Sequence, residues 1–187
     1  MHFHRPYGNQ QERREWQNPE TILKDIGLKF GSTFVDVGCG DGFFSIPAAR
    51  LVGQKGRVYC VDVSGKAIEI LKKNASMAGV ENLTLRVGRA EETVFCEACA
   101  DFLFFGIVLH DFQDIDKVLT NARTMLKSSG QLVDLDWKKE PMQFGPPLRI
   151  RFTEKEAADT IEKARFQVES TRAIGHYNYL IVAKPLT

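Results

Sequence analysis

The chain has 187 residues, 43% of them apolar, with 25 Lys and Arg against 24 Asp and Glu. That length suits one domain around one core, the composition excludes a disordered chain, and the near-neutral balance argues against a surface that coats nucleic acid. No apolar run reaches the ~20 residues that span a bilayer, and the start, Met1-His2-Phe3-His4-Arg5-Pro6, lacks the apolar core of a secretory signal, so a cytoplasmic location is expected.

Residues 1–18 are polar, with Phe3, Tyr7 and Trp16 scattered among them. The His2-x-His4 pair reads as part of a mobile end, and no metal site is expected. Asn18-Pro19-Glu20 reads as a helix start, with Asn18 as cap and Pro19 in the first turn, running to about Ile26. A first strand is expected at Thr33–Val37, a helix from about Phe43 to Val52, and a second strand at Arg57–Asp62. Ile68, Leu71, Ala75 and Ala78 mark one face of the next helix. Strands three and four are placed at Leu83–Val87 and Asp101–Val108, the latter almost wholly apolar, as befits a strand covered on both faces.

Ile115, Val118, Leu119, Ala122, Met125 and Leu126 form an apolar helical stripe, which Gly130 is expected to stop. Strand five follows at Gln131–Asp136. From 137 to 152 the alternation fails, with three prolines and a glycine, and a long variable loop is expected. Thr153 and Glu156 form a capping box for a last helix, and Gln167–Ile174 and Asn178–Ala183 read as two further strands. Alternating strands and helices imply an α/β fold: a doubly wound, Rossmann-like, mostly parallel sheet of about seven strands, with an antiparallel C-terminal hairpin. One domain, 1–187, accounts for all of it.

Four cysteines are expected to be reduced thiols. Cys39 and Cys60 read as small buried residues. Cys96-x-x-Cys99 supplies two ligands where structural zinc wants four, so a plain structural role or an incidental surface disulfide is expected. The basic pairs Arg13/Arg14, Lys138/Lys139 and Arg149/Arg151 read as solvated surface.

The chemistry concentrates after the first strand, in Val35-Asp36-Val37-Gly38-Cys39-Gly40-Asp41-Gly42-Phe43-Phe44. Three alternate glycines between a strand and a helix let a ligand approach the backbone, at a helix start suited to a nucleotide-like group. A dinucleotide fingerprint, G-x-G-x-x-G/A, would need a small residue at Phe43. Asp62 ends the second strand twenty residues beyond Gly42, where an acid can accept hydrogen bonds from ribose hydroxyls. Ser64 can cap the following helix, which frees Asp62 for a ligand.

This G-x-G-x-G pattern behind an acid resembles the first motif of class I S-adenosylmethionine (SAM) methyltransferases. With VYCVDVS, VGRAEE, FLFFGIVLHDF and LKSSGQLVDLDW in order, the resemblance covers about Pro19 to Lys184. It is nearest the small-molecule group that includes the ubiquinone and menaquinone biosynthesis enzymes (methyltransferase type 11). It implies SAM as cofactor. Gly38, Cys39, Gly40 and Gly42 would lie along its methionine part, Asp36 would help hold its ammonium directly or through water, and Asp62 would bind the ribose. Val63, Ala90 and Glu91 would lie by the adenine, with Gly106 at the end of strand four. Many relatives carry an acid before that alanine, where this chain has Arg89. Glu91 reads equally as a charge favoured by a helix N-terminus.

His110, after strand four, is the candidate general base, or a structural histidine. The acceptor is expected to be a small molecule methylated at O, C or N. Phe-Gly-Ile-Val stands where nucleic-acid amino-methyltransferases have an acid or amide followed by Pro-Pro, so no nucleic-acid partner is expected. Tyr7, Trp16 and Trp137 are candidate acceptor contacts, the segment 1–18 and the loop 137–152 acting as lids. The oligomeric state is not legible. Two rivals remain: a non-catalytic SAM-binding protein, and an NAD(P)-linked oxidoreductase, which Phe43 disfavours.

Overall fold

Seven strands hydrogen-bond in the order β3-β2-β1-β4-β5-β7-β6. They are β1 (Thr33–Val37), β2 (Arg57–Asp62), β3 (Leu83–Val87), β4 (Ala100–Gly106), β5 (Leu126–Trp137), β6 (Phe166–Ile174) and β7 (Asn178–Pro185). The first five pair in parallel. β7 enters antiparallel between β5 and β6, which gives the expected C-terminal hairpin. The computed structural model describes residues 10–186. Tyr7, His2 and His4 lie outside them.

Parallel strands need crossovers, and helices supply them. On one face lie α2 (Pro19–Asp25), α3 (Ser45–Val52) and α4 (Gly65–Ala78), packed on Phe34, Phe104, Val133 and Leu135. On the other lie α5 (Ile115–Met125) and α6 (Glu154–Lys163), packed on Val35, Leu103, Phe105 and Tyr179. A short first helix, α1 (Gln10–Trp16), precedes them. Asn18 caps α2 by accepting from the Thr21 N–H, and Thr153 and Glu156 close the capping box of α6. The strand order reverses between β1 and β4, so a crevice opens beyond the carboxyl ends of those strands.

Several boundaries differ from expectation. Phe43 and Phe44 form a tight turn, ring to ring at 5.2 Å, so α3 starts only at Ser45. β4 stops at Gly106, because Ile107 turns into the left-handed region at φ 66°. Gly130 does not stop α5. That helix ends at Met125, Leu126 is already extended, and Gly130 lies inside β5. A Cβ on Gly130 would sit 2.7 Å from the Ala100 carbonyl oxygen, so close strand packing is what requires the glycine.

Cys39 and Cys60 are buried free thiols, as expected. Their mutual hydrogen bond and their burial push the Cys39 thiol upward, so it stays protonated. Cys96 and Cys99 are joined as a disulfide, the alternative to a reduced thiol that was expected for this pair. Ala98, at φ 47°, folds the turn between them. Backbone bonds from Ala98 to Thr124 and from Cys99 to Met125 hold that turn against the end of α5.

Buried charge organises the loop after β5. Arg151 is not solvated surface: it is 4% exposed. Its guanidinium donates to the carbonyls of Pro146, Lys138, Glu140 and Phe144 at 2.8–3.2 Å. One planar group with five donors satisfies a stretch that forms no helix or sheet of its own. Arg13 also departs from the solvated reading, lying over the Phe43 ring at 3.9 Å.

Under the glycine turn, Asp36 is 2% exposed. Its Oδ2 accepts from the Ser45 hydroxyl at 2.5 Å. Burial outweighs that bond and lifts the carboxyl to about 7.

Two outcomes follow from these buried groups. Arg151→Ala strands four carbonyls and is expected to cost about 2–4 kcal/mol, read as a lower urea midpoint, with the far side of the sheet still folded by circular dichroism. For Asp36 the folded state keeps a proton that the unfolded chain releases above its ordinary value of 3.8. The stability that Asp36 contributes is therefore fullest below that value and falls as pH rises towards 7, by on the order of 4 kcal/mol. Asp36→Asn should flatten this slope in urea titrations between pH 4.5 and 8. An unchanged slope would show that Asp36 ionises freely.

Candidate cofactor and acceptor site

The turn after β1 places Gly38, Gly40 and Gly42 at φ 75°, 55° and 93°, all left-handed. Their surroundings differ. A Cβ on Gly38 would sit 2.6 Å from Val108 Cγ1, and one on Gly42 would run into Leu71. A Cβ on Gly40 would meet none of the described residues within 4 Å. Gly38 and Gly42 are thus packing glycines, and Gly40 lies against open space. The N–H groups of Gly38 and Cys39 both donate to the Val61 carbonyl at the end of β2 (2.8 and 3.1 Å).

Asp62, next in β2, completes the anchor. Its Oδ2 accepts from Gly40 N–H at 2.9 Å and its Oδ1 from Ser64 N–H at 2.8 Å. Ser64 caps α4 through the Ala67 N–H, as expected. Asp62 is therefore oriented rather than free. Each oxygen carries one backbone bond and keeps acceptor capacity for a hydroxyl donor. Val63 beside it is 56% exposed, an apolar surface at the carboxyl end of the sheet.

Ala90 and Glu91 lie in a single 3-10 turn, Ala90–Glu92. Asn121, a buried residue of α5 that the sequence reading missed, donates to both of their carbonyls (3.0 and 2.9 Å). The Glu91 carboxylate accepts from Gln113 and Asp114 N–H (3.2 and 3.4 Å). It thus places negative charge at the start of α5. Arg89 binds Glu91 at 3.2 Å and Gln113 at 3.0 Å. Gly106 ends β4 where a Cβ would sit 2.9 Å from the Phe104 ring and 3.3 Å from the Phe44 ring.

His110 follows on the turn Leu109–Asp111. Its side chain is 1% exposed and does not stand free at the strand end. Nδ1 lies 2.9 Å from both oxygens of Asp136, and Nε2 lies 3.8 Å from Asp111 Oδ1. Burial pulls the imidazole down, but the Asp136 charge and hydrogen bond, with Asp111, outweigh it and leave the ring above its ordinary 6.5. Sequence reading also missed Asp136. The available signal was an alternating Asp134/Asp136 pair within the otherwise apolar second half of β5, residues 132–137, where each charge needs a reason.

The two variable segments meet. Trp16 of α1 stacks against Trp137 at 5.3 Å and Phe144 at 5.8 Å, and Tyr177 of the β6–β7 turn closes on Trp16 and Phe144 (5.8 and 4.8 Å). Trp137 is the last residue of β5, fully buried. The glycine turn, Asp62, Gly106, His110 and Trp137 thus all lie at the carboxyl end of the sheet. A concavity of about 560 Å³ lies elsewhere, along α4 and β3 (Ile68, Leu83, Leu85). Among the described residues no group of three or more His, Cys, Asp or Glu could hold a metal ion. None of their helices is long and apolar enough to cross a membrane.

Comparison with known proteins agrees with this geometry. The model of a methyltransferase domain family matches residues 28–172. A demethylmenaquinone methyltransferase from Bacillus velezensis is 28% identical over 135 residues, 72% of this chain and 57% of the relative. One from Staphylococcus aureus is 29% identical over 126 residues, 67% of this chain and 51% of the relative. The chain therefore spans about half the length of these curated relatives. The crystal structure of a SAM-dependent methyltransferase from Aquifex aeolicus superposes with a TM-score of 0.88 at 30% identity, covering 92% of each chain. A glycine turn open at Gly40, an oriented acid at the end of β2, the matching sheet and the family match lead to one conclusion: the chain belongs to the methyltransferase domain family, among the class I SAM-dependent enzymes.

Proposed function

We propose that this enzyme transfers a methyl group from SAM to a small-molecule acceptor, at O, C or N, held beyond the carboxyl ends of β4 and β5. The observation that carries the reading is the pairing of open space over Gly40 with Asp62, whose oxygens are fixed by backbone N–H groups. Those features fit SAM. Asp62 takes the ribose hydroxyls, Gly38, Cys39 and Gly40 line the methionine part, and Val63, Ala90 and Glu91 lie beside the adenine. Asp36 acts from beneath the turn, through Ser45 or water, since its carboxyl is buried there. When bound, SAM supplies an electrophilic methyl on a positively charged sulfur. The chain's own task is then to align the acceptor, keep water out and take up a proton.

His110 is the group that takes the proton, because a neutral imidazole is the base closest to β4's end with a pKa suited to the work. Trp16, Trp137, Phe144 and Tyr177 form an apolar aromatic cluster at the carboxyl end of β5, which suits a flat, largely apolar acceptor. The two relatives from Bacillus and Staphylococcus are named for demethylmenaquinone. A reduced demethylnaphthoquinone is therefore the first acceptor to offer, with radiolabelled SAM, before a wider metabolite pool. SAM binding with no label transferred to any acceptor would leave a binding protein rather than an enzyme.

Two measurements probe the roles. Asp62→Ala should weaken SAM binding by about 1.5–3 kcal/mol, the range for hydrogen bonds to a charged group, read by calorimetry. Unchanged affinity would remove Asp62 from the site. A chain beginning at Asn18 lacks Trp16 and so a central part of the aromatic cluster. It should bind SAM as tightly as the whole chain but lose turnover on the acceptor identified above, as expected of a missing lid. Full turnover would make the first segment mere packing.

A further inference from the structure

We infer that Asp136 is a positioning residue: it dictates which nitrogen of His110 carries the proton, and so makes Nε2 the basic atom of the site. A carboxylate only accepts hydrogen bonds. Both Asp136 oxygens lie 2.9 Å from Nδ1, so in the neutral ring the proton sits on Nδ1 and the lone pair on Nε2. The carboxylate that faces Nε2 is Asp111, at 3.8 Å, beyond hydrogen-bond reach. An acceptor O–H or N–H that reaches this buried ring hands its proton to Nε2, and the pair of the broken bond stays on the acceptor atom. The imidazolium so formed is stabilised by the Asp136 charge.

The sheet also explains why Asp136 is the charged member of its pair. Asp134 and Asp136 are two residues apart, so they share a face of β5, and both are buried. Two carboxylates in apolar surroundings do not both ionise. Asp136 receives the Trp137 N–H at 2.7 Å besides His110. Neither Asp134 oxygen has a hydrogen-bond partner among the described residues. Asp134 is the one that stays protonated, pushed well above 3.8 by burial and by Asp136. The other groups that bear on His110 are Asp111 on its own turn and Arg151 from the loop, which opposes protonation. Tyr179 of β7 stands opposite Asp136 in register, and Glu154 and Glu156 at the start of α6 act on Tyr179.

A purely structural ion pair, pinning the His110 turn to β5, would need no particular tautomer. The test therefore reads the tautomer. The inference rests on the methyl-transfer reading for its purpose, but imidazole nitrogen NMR on the ¹⁵N-labelled, ligand-free chain needs no acceptor. Loss of one ring signal set in His110→Gln assigns the residue. The wild-type ring should titrate above 6.5 and, once neutral, show a protonated Nδ1 and a bare Nε2. Asp136→Asn should lower the transition by about one pH unit or more and lose that single tautomer, while Asp134→Asn keeps it. A wild-type ring protonated on Nε2, or a tautomer and transition unmoved by Asp136→Asn, overturns the inference. Should Asp136→Asn fail to fold, the wild-type spectrum alone decides. Calorimetry of the wild-type chain with SAM separates the two ideas: no binding sinks the methyl-transfer reading and leaves the tautomer assignment intact.

Discussion

The end of β2 holds the rest of the site in place. Val61 offers one carbonyl to two consecutive N–H groups of the glycine turn, and Asp62 takes a third from Gly40. A turn with three left-handed residues has no helix or sheet ladder to satisfy its backbone, so these bonds define its shape. The same carboxylate that would meet a ribose is the one that orients the loop. Site and fold are therefore coupled through one side chain. Gly38 and Gly42 make the close packing against Val108 and Leu71 feasible, and of the three only Gly40 is left facing outward.

A sheet covered on both faces imposes a second constraint. Every polar group inside it must find a partner or lose its charge. Four groups answer this in different ways. Arg151 collects four carbonyls. Asp136 collects a histidine and a backbone N–H. Asp36 has a serine and is lifted towards neutrality. Asp134 has no hydrogen-bond partner among the described residues and is lifted well above its ordinary value. Three of the four lie at or beyond the carboxyl end of β1 or β5.

The variable segments are less independent than their irregular composition suggests. Trp16, Trp137, Phe144 and Tyr177 draw α1, the end of β5, the proline-rich loop and the β6–β7 turn into one aromatic contact. Arg151 lies over the Trp137 ring at 5.7 Å. Movement of one of these segments therefore disturbs the others.

Much of this was legible in the chain itself. Strand and helix periods, Asn18, Ser64 and the Thr153/Glu156 box are local signals, because each rests on contacts within a few residues. The glycine spacing and Asp62 were legible too, since the turn and its acid recur at a defined distance along one crossover. What tertiary structure alone decided involves residues far apart in sequence. Gly130 looked like a helix stop until the Ala100 carbonyl was placed against it. Arg151 looked like solvated surface until a loop wrapped around it. Glu91 was joined to the start of α5, and Asp36 was turned under the glycine turn towards Ser45. The partnership of His110 with Asp136 spans twenty-six residues and two neighbouring strands. A linear pattern records which residues can be buried, but the charge state of a buried group depends on which donors surround it, and only the folded sheet brings those donors together.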